Sequence, residues 1–289
     1  MAPGEQTLDL ETVAYELSAD GRIATVTLNR PDARNAQNRQ MTYELDAAFS
    51  AAAQDDEVRV IVLAGAGPHF CAGHDLKDFG SFELNPIGSG GRFRAPGAEG
   101  HFAFEDELYL KMCRRWHDLP KPTIAQVQGK TIAGGLMLMW VCDLIVAAED
   151  ALFADPTLAF GVNGVEWFAH PWELGIRKAK ELLFTGDFMS AADALQAGMI
   201  NHAVPAAELA SFTADLAGRI AEKPAFSLQL AKQSVNQALD AQGFWTAQQA
   251  AFGLQHVGHS HTREMLLRKK LEAARAELKA LRGEESAEG

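Results

Sequence analysis

The sequence predicts an α/β fold with a helical C-terminal third. Three observations carry this. Short, β-branched apolar runs recur between residues 22 and 149, each bounded by Gly, Pro, Asn or Asp. Stretches of helical period lie between them. From Trp172 onward the pattern is mostly helical, which adds a helical appendage to an α/β core.

The elements follow in order. RIATVTL (22–28) alternates and is β-branched, so it is a strand, broken by Asn29-Arg30-Pro31-Asp32. The Ala-rich stretch 38–53 is a helix. VRVIVLAG (58–65) is an almost continuous apolar run ending in Gly, the pattern of a strand covered on both faces. A Gly-punctuated loop, GPHFCAGHDL, follows it. Residues 80–100 are rich in Gly and Pro and predict a mobile loop, of a length that is uncommon unless the segment is a lid, a binding loop or disordered. A helix over 103–118 is stopped by Pro120 and Pro122. TIAQVQG (123–129) is a strand, AGGLMLMWVC (133–142) an apolar helix opened by glycines, and DLIVAAE (143–149) another buried strand. Helices are expected at 173–184, 190–197, 206–222, 225–238, 243–255 and 262–282. The last has a charged, solvated face laced by i,i+4 pairs. The division expected is an α/β core over 1–205 and a helical region over 206–289. No internal repeat of fixed period is evident.

Composition narrows the function. The chain has 289 residues, 47% hydrophobic and 22% charged, enough for a sizeable core. No apolar run reaches the roughly 18 residues of a membrane span. The acidic N-terminus MAPGEQTLDLET is not of the secretory-signal type. A net charge of −12 argues against nucleic acid, which needs clustered Lys and Arg, but leaves room for a small anionic ligand in a local basic pocket. Three scattered cysteines, Cys71, Cys113 and Cys142, form no disulfide framework and suit a reducing cytoplasm.

The strongest local signal is a repeated theme at 58–76 and 123–140. A buried strand ends in Gly, and a Gly-rich turn leads toward a helix. Such turns leave backbone N–H groups available where the helix dipole favours negative charge. Two of them facing each other would give one donor each to a single oxygen, an oxyanion hole. The plainer alternative is that these glycines serve only tight turns and close packing. A phosphate loop fits poorly: there is no GxxxxGK[ST], and GAGPHFCAG is not a strand–GxGxxG–helix unit.

In these segments the sequence resembles the crotonase (enoyl-CoA hydratase/isomerase) superfamily. LNRPDARNA (28–36), FCAGHDL (70–76), the run KPTIAQVQGKTIAGGLMLMWVCDLIVAAEDALFADP (121–156) and LLFTGDFMSAADALQAGMINHAVP (182–205) match its pieces in order, and the likeness extends over about residues 10–270. The resemblance implies a spiral of repeated ββα units with a helical C-terminal trimerisation region, assembled as a homotrimer or dimer of trimers. It implies an acyl-CoA thioester as substrate, with no separate cofactor and no metal. It places the two oxyanion donors at the backbone N–H groups of His74 and Gly134. Ala33, Arg34, Ala72 and Leu76 fall where the family lines the CoA path, with Arg34 suited to a phosphate.

The hydratases of the family use two glutamates, and the positions corresponding to them here hold Met137 and Thr157. Neither serves as a base or acid near neutral pH. Each lost acid–base group costs about 10²–10⁴-fold, so efficient hydration is not expected. The nearby substitutes are Glu166, Asp155 and His74. Val165, Trp167 and Phe168 flank Glu166 and are expected to desolvate it and raise its pKa. The alternative is a carboxylate at a helix start or in a structural ion pair. Alternation along ALFADPT would put Asp155 and Thr157 on one strand face, beside the pocket with Met137; the alternative for Asp155 is a turn residue. The His74 imidazole matches the GHD of some decarboxylating relatives, where it holds a carboxylate; otherwise it only fills space. Cys71 is not expected to be a nucleophile. HVGHSH (256–261) lacks a carboxylate or Cys partner in sequence and is expected to be a solvated loop, and Trp140 and Met139 core or pocket lining. Three functions therefore stand: an acyl-CoA isomerase, decarboxylase or hydrolase using Glu166; a non-catalytic acyl-CoA binder; and a scaffolding trimer. A hydratase relying on Glu166 or Asp155 is a variant of the first.

Overall fold

The structure is a computed structural model and describes residues 8–78 and 92–281. Most of the loop expected at 80–100 therefore lies outside the described residues. In chain order the strands are β1 (Val13–Leu17), β2 (Ile23–Leu28), β3 (Val60–Gly65), β4 (Thr123–Val127), β5 (Lys130–Ile132), β6 (Leu144–Ala148), β7 (Leu152–Ala154), β8 (Met189–Ser190) and β9 (His202–Val204). The larger helices are α1 (Arg39–Gln54), α2 (Ala98–Glu105), α3 (Met112–His117), α4 (Gly134–Trp140), α5 (His170–Thr185), α6 (Ala191–Ala197), α7 (Leu209–Ala221), α8 (Ala225–Ala241) and α9 (Phe244–Leu281). A π-helical segment, Asp106–Lys111, joins α2 to α3.

The main sheet has the order β1-β2-β3-β4-β6-β9. β1 and β2 form an antiparallel hairpin, and every later neighbour pair is parallel. Because side chains alternate along a strand, the sheet separates two cores. Ile61, Leu63, Ala125, Val127, Ile145 and Ala147 face the larger one, shared with α1, α3 and α4. Val60, Val62, Ile124, Val146 and Ala148 face the smaller one, closed by Leu209, Ala217 and Ala221 of α7. Both faces are covered, which is why β3 is an unbroken apolar run. Each Val, Leu or Ile side chain fully buried here contributes about 1.5–3 kcal/mol relative to exposure. Parts of the helical region from residue 206 onward are packed into the fold: α7 covers the sheet, and Phe244 and Phe252 of α9 join the larger core.

The second sheet is small, with the order β5-β7-β8. Its three strands have two or three residues each, and it carries α4 on the end of β5. Two expectations are corrected. β7 ends at Ala154, so Asp155 and Thr157 do not share a strand face; Thr157 begins a 3-10 turn, Thr157–Phe160. HVGHSH is not a loop: α9 runs through it without a break.

Candidate active site

The first glycine turn is held by side chains that precede it in sequence. Asn35 is fully buried and left-handed, with φ 54°. Its Nδ2 donates to the carbonyls of Ala66 (2.8 Å), His69 (2.9 Å) and Phe70 (3.1 Å), gathering the loop after β3 around one amide. The Gln37 N–H donates to Gly73 O at 2.8 Å, and the Asp75 N–H donates to Gln37 O at 2.8 Å. His74 thus sits opposite Gln37 as in a short parallel ladder. Arg30 closes the arrangement with an ion pair to Asp75 at 2.9 Å.

The second turn docks on the first. The Ile132 N–H donates to Cys71 O at 3.0 Å, and the Ala133 N–H donates to Ala154 O at 2.9 Å. Ala133 is held at φ 47°, ψ −116°, a conformation that costs a residue with a Cβ about 1–3 kcal/mol. α4 starts immediately after it, at Gly134, where the first N–H groups have no acceptor within the helix. Both turns need glycine for space. A Cβ on Gly73 would lie 3.3 Å from the Gly134 nitrogen. A Cβ on Gly134 would lie 2.7 Å from His74 Cε1 and 2.9 Å from His74 Nδ1. The structure therefore brings His74 and Gly134 together, from segments about sixty residues apart.

The His74 ring lies between three groups. Its Nε2 is 3.0 Å from Glu166 Oε2. Its face stacks on Tyr109 of the π-helical segment, with centroids 3.9 Å apart. Its Nδ1 is buried and has no hydrogen-bond partner in the described structure. Burial opposes charge on both members of the pair, but their mutual attraction wins. His74 is shifted above the ordinary imidazole range and Glu166 below the ordinary carboxylate range. Gln255 of α9 also donates to Glu166. The expectation that apolar neighbours raise the Glu166 pKa is corrected: desolvation is present, and the His74 imidazolium overrides it. Of the two side chains His74 is the more open, 22% exposed against 5% for Glu166.

The other expected residues are distributed as follows. Ala33, Arg34 and Ala72 lie side by side, because the Ala72 N–H donates to Arg34 O at 3.0 Å. Arg34 and Leu76 are exposed. Met137 is buried on α4. Asp155 is sealed in the interior with His170, Nε2 to Oδ2 at 2.8 Å, and neither side chain has any exposure. It does not line an open pocket wall. Its pKa is held down although burial raises it, because the His170 hydrogen bond and the Thr157 N–H outweigh that cost. Cys71 is fully buried, and burial pushes its thiol up to about 11, which leaves it a poor nucleophile near neutral pH.

Sequence reasoning missed a cluster beside this site. His101 and Glu105 of α2 meet His256 and His259 of α9. Burial, and then the nearby Glu166 charge, raise the Glu105 carboxyl to about 8. The i,i+4 spacing of His101 and Glu105 was the available signal, but only the packing of α2 on α9 supplies the carboxylate that HVGHSH lacks in sequence.

Residues 18–275 match the enoyl-CoA hydratase/isomerase family. The chain belongs to that family. Among curated relatives it is 45% identical to the Mycobacterium tuberculosis protein named "Putative enoyl-CoA hydratase EchA13", over 89% of this chain and 83% of that one. It is 33% identical to the 1,2-epoxyphenylacetyl-CoA isomerase of Escherichia coli, over 75% of this chain and 79% of that one. Among solved structures it superimposes on a "probable enoyl-CoA hydratase" of Mycobacterium thermoresistibile with a TM-score of 0.80 and 48% identity, covering 88% of this chain and 99% of that one. The crotonase-type α/β fold with its helical C-terminal region follows from these matches. The printed names in the family include both hydratases and an isomerase, so membership fixes lyase or isomerase chemistry and leaves the reaction open.

Proposed function

We propose that this enzyme acts on an acyl-CoA thioester through its enolate, as an isomerase or decarboxylase rather than an efficient hydratase. The single observation that carries this reading is the His74–Glu166 pair packed against Gly134. The backbone N–H groups of His74 and Gly134 would hold the thioester oxygen, and one such donor is typically worth roughly 3–4 kcal/mol in the transition state. The side-chain pair would be the acid–base unit. Glu166 is buried, fixes the imidazole through Nε2 and favours its protonated form. His74 Nδ1–H, next to Gly134 and without another partner, is left for the substrate. With Nδ1 unprotonated, the pair would accept a carbon-bound proton from the substrate, and the resulting Nδ1–H would return it to another carbon of the enolate, so one acid–base unit suffices for isomerisation. Hydration at the usual positions would have to use Met137 and Thr157, neither of which serves as an acid or base near neutral pH.

A second reading within the same site is decarboxylation of a malonyl-type thioester. The upward shift of the His74 pKa and its unpartnered Nδ1 favour it, because in its protonated form the ring would offer a cation and a donor to a substrate carboxylate. Neither reaction needs a cofactor beyond the CoA of the substrate. Ala33, Arg34, Ala72 and Leu76 would form the CoA path, with Arg34 exposed for a phosphate. Exposed Phe226, Leu230 and Val235 on α8 and Leu254 and Val257 on α9 support a homotrimer or dimer of trimers. No helix among the described residues is long and apolar enough to cross a membrane, and the three buried free cysteines suit a reducing cytoplasm.

The test is a product assay with crotonyl-CoA, a 3-enoyl-CoA and malonyl-CoA side by side. The expected result is turnover of the 3-enoyl or malonyl ester at least 100-fold above crotonyl-CoA hydration. Crotonyl-CoA hydration at ordinary enzyme rates, unchanged in Glu166→Gln, would reject the reading. Tight binding of all three esters without product would instead establish a non-catalytic acyl-CoA binder.

A further inference from the structure

We propose that His101, Glu105, His256 and His259 form a binding site for a first-row divalent metal ion, best matched by Zn²⁺, that clamps α2 to α9 beside the active site. The four side chains come from two helices. His101 and Glu105 are one turn apart on α2, and His256 and His259 are one turn apart on α9, so each helix presents a pair on one face. Glu105 is the centre of the group. Its Oε1 lies 2.9 Å from His101 Nε2 and 3.4 Å from His259 Nε2, and its Oε2 lies 3.2 Å from His256 Nε2. One donor atom each from His101, Glu105 and His256 fits within 4.8 Å of the others.

Two features separate this from an ordinary hydrogen-bonded cluster. First, several of the atoms that converge do not bond. Glu105 Oε2, His256 Nε2 and His259 Nε2 are buried and lack a hydrogen-bond partner despite their closeness. The Glu105 side chain is only 7% exposed, and leaving such a group unpaired is costly. Second, the spacing is that of donors around an ion. Bonds of about 2.0–2.1 Å in a tetrahedron hold the donors about 3.3 Å apart, and three imidazoles with one carboxylate are a donor set suited to Zn²⁺. The groups facing the cluster from its surroundings are Glu166, His74 and Arg263, and two of these three belong to the acid–base pair. Gln255, adjacent to His256 on α9, donates to Glu166. An ion joining α2 to α9 would therefore fix the helix that supports Glu166 without touching the reacting atoms. This inference stands whether or not the proposed reaction is correct, because its readout is metal binding.

The experiment uses the purified full chain. It is stripped with chelator, incubated with Zn²⁺ or Co²⁺ and freed of excess ion. Metal is then counted by mass spectrometry, and donors are identified from the visible Co²⁺ spectrum and X-ray absorption. The expected result is about one ion per chain, tetrahedral Co²⁺ bands and imidazole donors. Affinity should fall at least 100-fold in His256→Ala and in Glu105→Gln, and stay unchanged in His261→Ala, an exposed histidine outside the cluster. Zn²⁺ should raise the Tm of wild type and His261→Ala but not of the cluster variants. If Glu105→Gln does not fold, His259→Ala, at the open side of the cluster, should still weaken binding at least tenfold. Absence of stoichiometric metal in folded wild-type protein would overturn the proposal. So would an X-ray absorption spectrum without imidazole, or binding by folded His256→Ala as tight as wild type.

Discussion

Two of the histidine–carboxylate pairs among the described residues, His74–Glu166 and Asp155–His170, lie close together and differ in how a substrate could reach them. Their separations are similar, 3.0 and 2.8 Å. They differ in access. The Asp155–His170 pair is closed on all sides, with no exposure of either side chain. In the other pair Glu166 is buried while the His74 ring keeps an open edge and an unpartnered Nδ1 against Gly134. The same two functional groups therefore serve different ends. The sealed pair holds the turn at Thr157 in place, whereas under the proposed function the half-sealed pair offers its imidazole to a substrate. Burial and orientation decide between these roles, and residue type does not.

The comparison can be broken by substituting each carboxylate. Glu166→Gln should lower turnover of the true substrate by about 10²–10⁴-fold, the usual worth of an acid–base group, with CoA-ester affinity little changed. Asp155→Asn should alter turnover of the folded enzyme less than about threefold on the same reasoning. Steady-state kinetics on both variants check this, and equal losses would erase the distinction.

On stability the order should reverse. Asp155→Ala leaves His170 alone in the interior and should cost about 3–5 kcal/mol, measured by denaturant unfolding. A smaller effect comes from the scaffold of the first turn. Asn35→Ala removes one amide that serves three carbonyls and should cost about 1–3 kcal/mol, with a lowered Tm.

The smallest expected effect is a titration. His74 is raised and Glu166 lowered by their pairing. The stabilisation from His74 is complete below the ordinary imidazole pKa of about 6.5 and is lost as pH rises through its raised value. That from Glu166 is complete above the ordinary carboxylate value and is lost as pH falls through its depressed one. The pair therefore stabilises the fold most strongly between those limits. In NMR titrations the His74 imidazole should titrate above about 6.5 in wild type and below it in Glu166→Gln, where burial acts unopposed.

Legibility in the sequence followed burial and chain distance. β3 and β6 stood out because both their faces are covered, so no polar residue interrupts them. β5, β7, β8 and β9 did not, since two or three residues show no period. The glycines of both turns were visible, and the clashes a Cβ would make at Gly73 and Gly134 give them a packing reason. The break expected at HVGHSH failed because Gly258 and three histidines look like a loop, while in the fold His256 and His259 face Glu105. Glu166 shows the limit most clearly. Its apolar neighbours in sequence predicted a raised pKa, but the residue that sets its charge, His74, lies far away in the chain and is brought close only by the two turns.

The central claim is that His74, Gly134 and Glu166 together form and hold a thioester enolate. The most direct measurement is deuterium uptake from solvent at the α-carbon of a saturated ester such as butanoyl-CoA, followed by mass spectrometry. The account predicts enzyme-dependent exchange in wild type, slowed at least 100-fold in Glu166→Gln while the ester still binds. Exchange that proceeds equally in both proteins, or its absence in a wild-type enzyme that hydrates crotonyl-CoA rapidly, would contradict it.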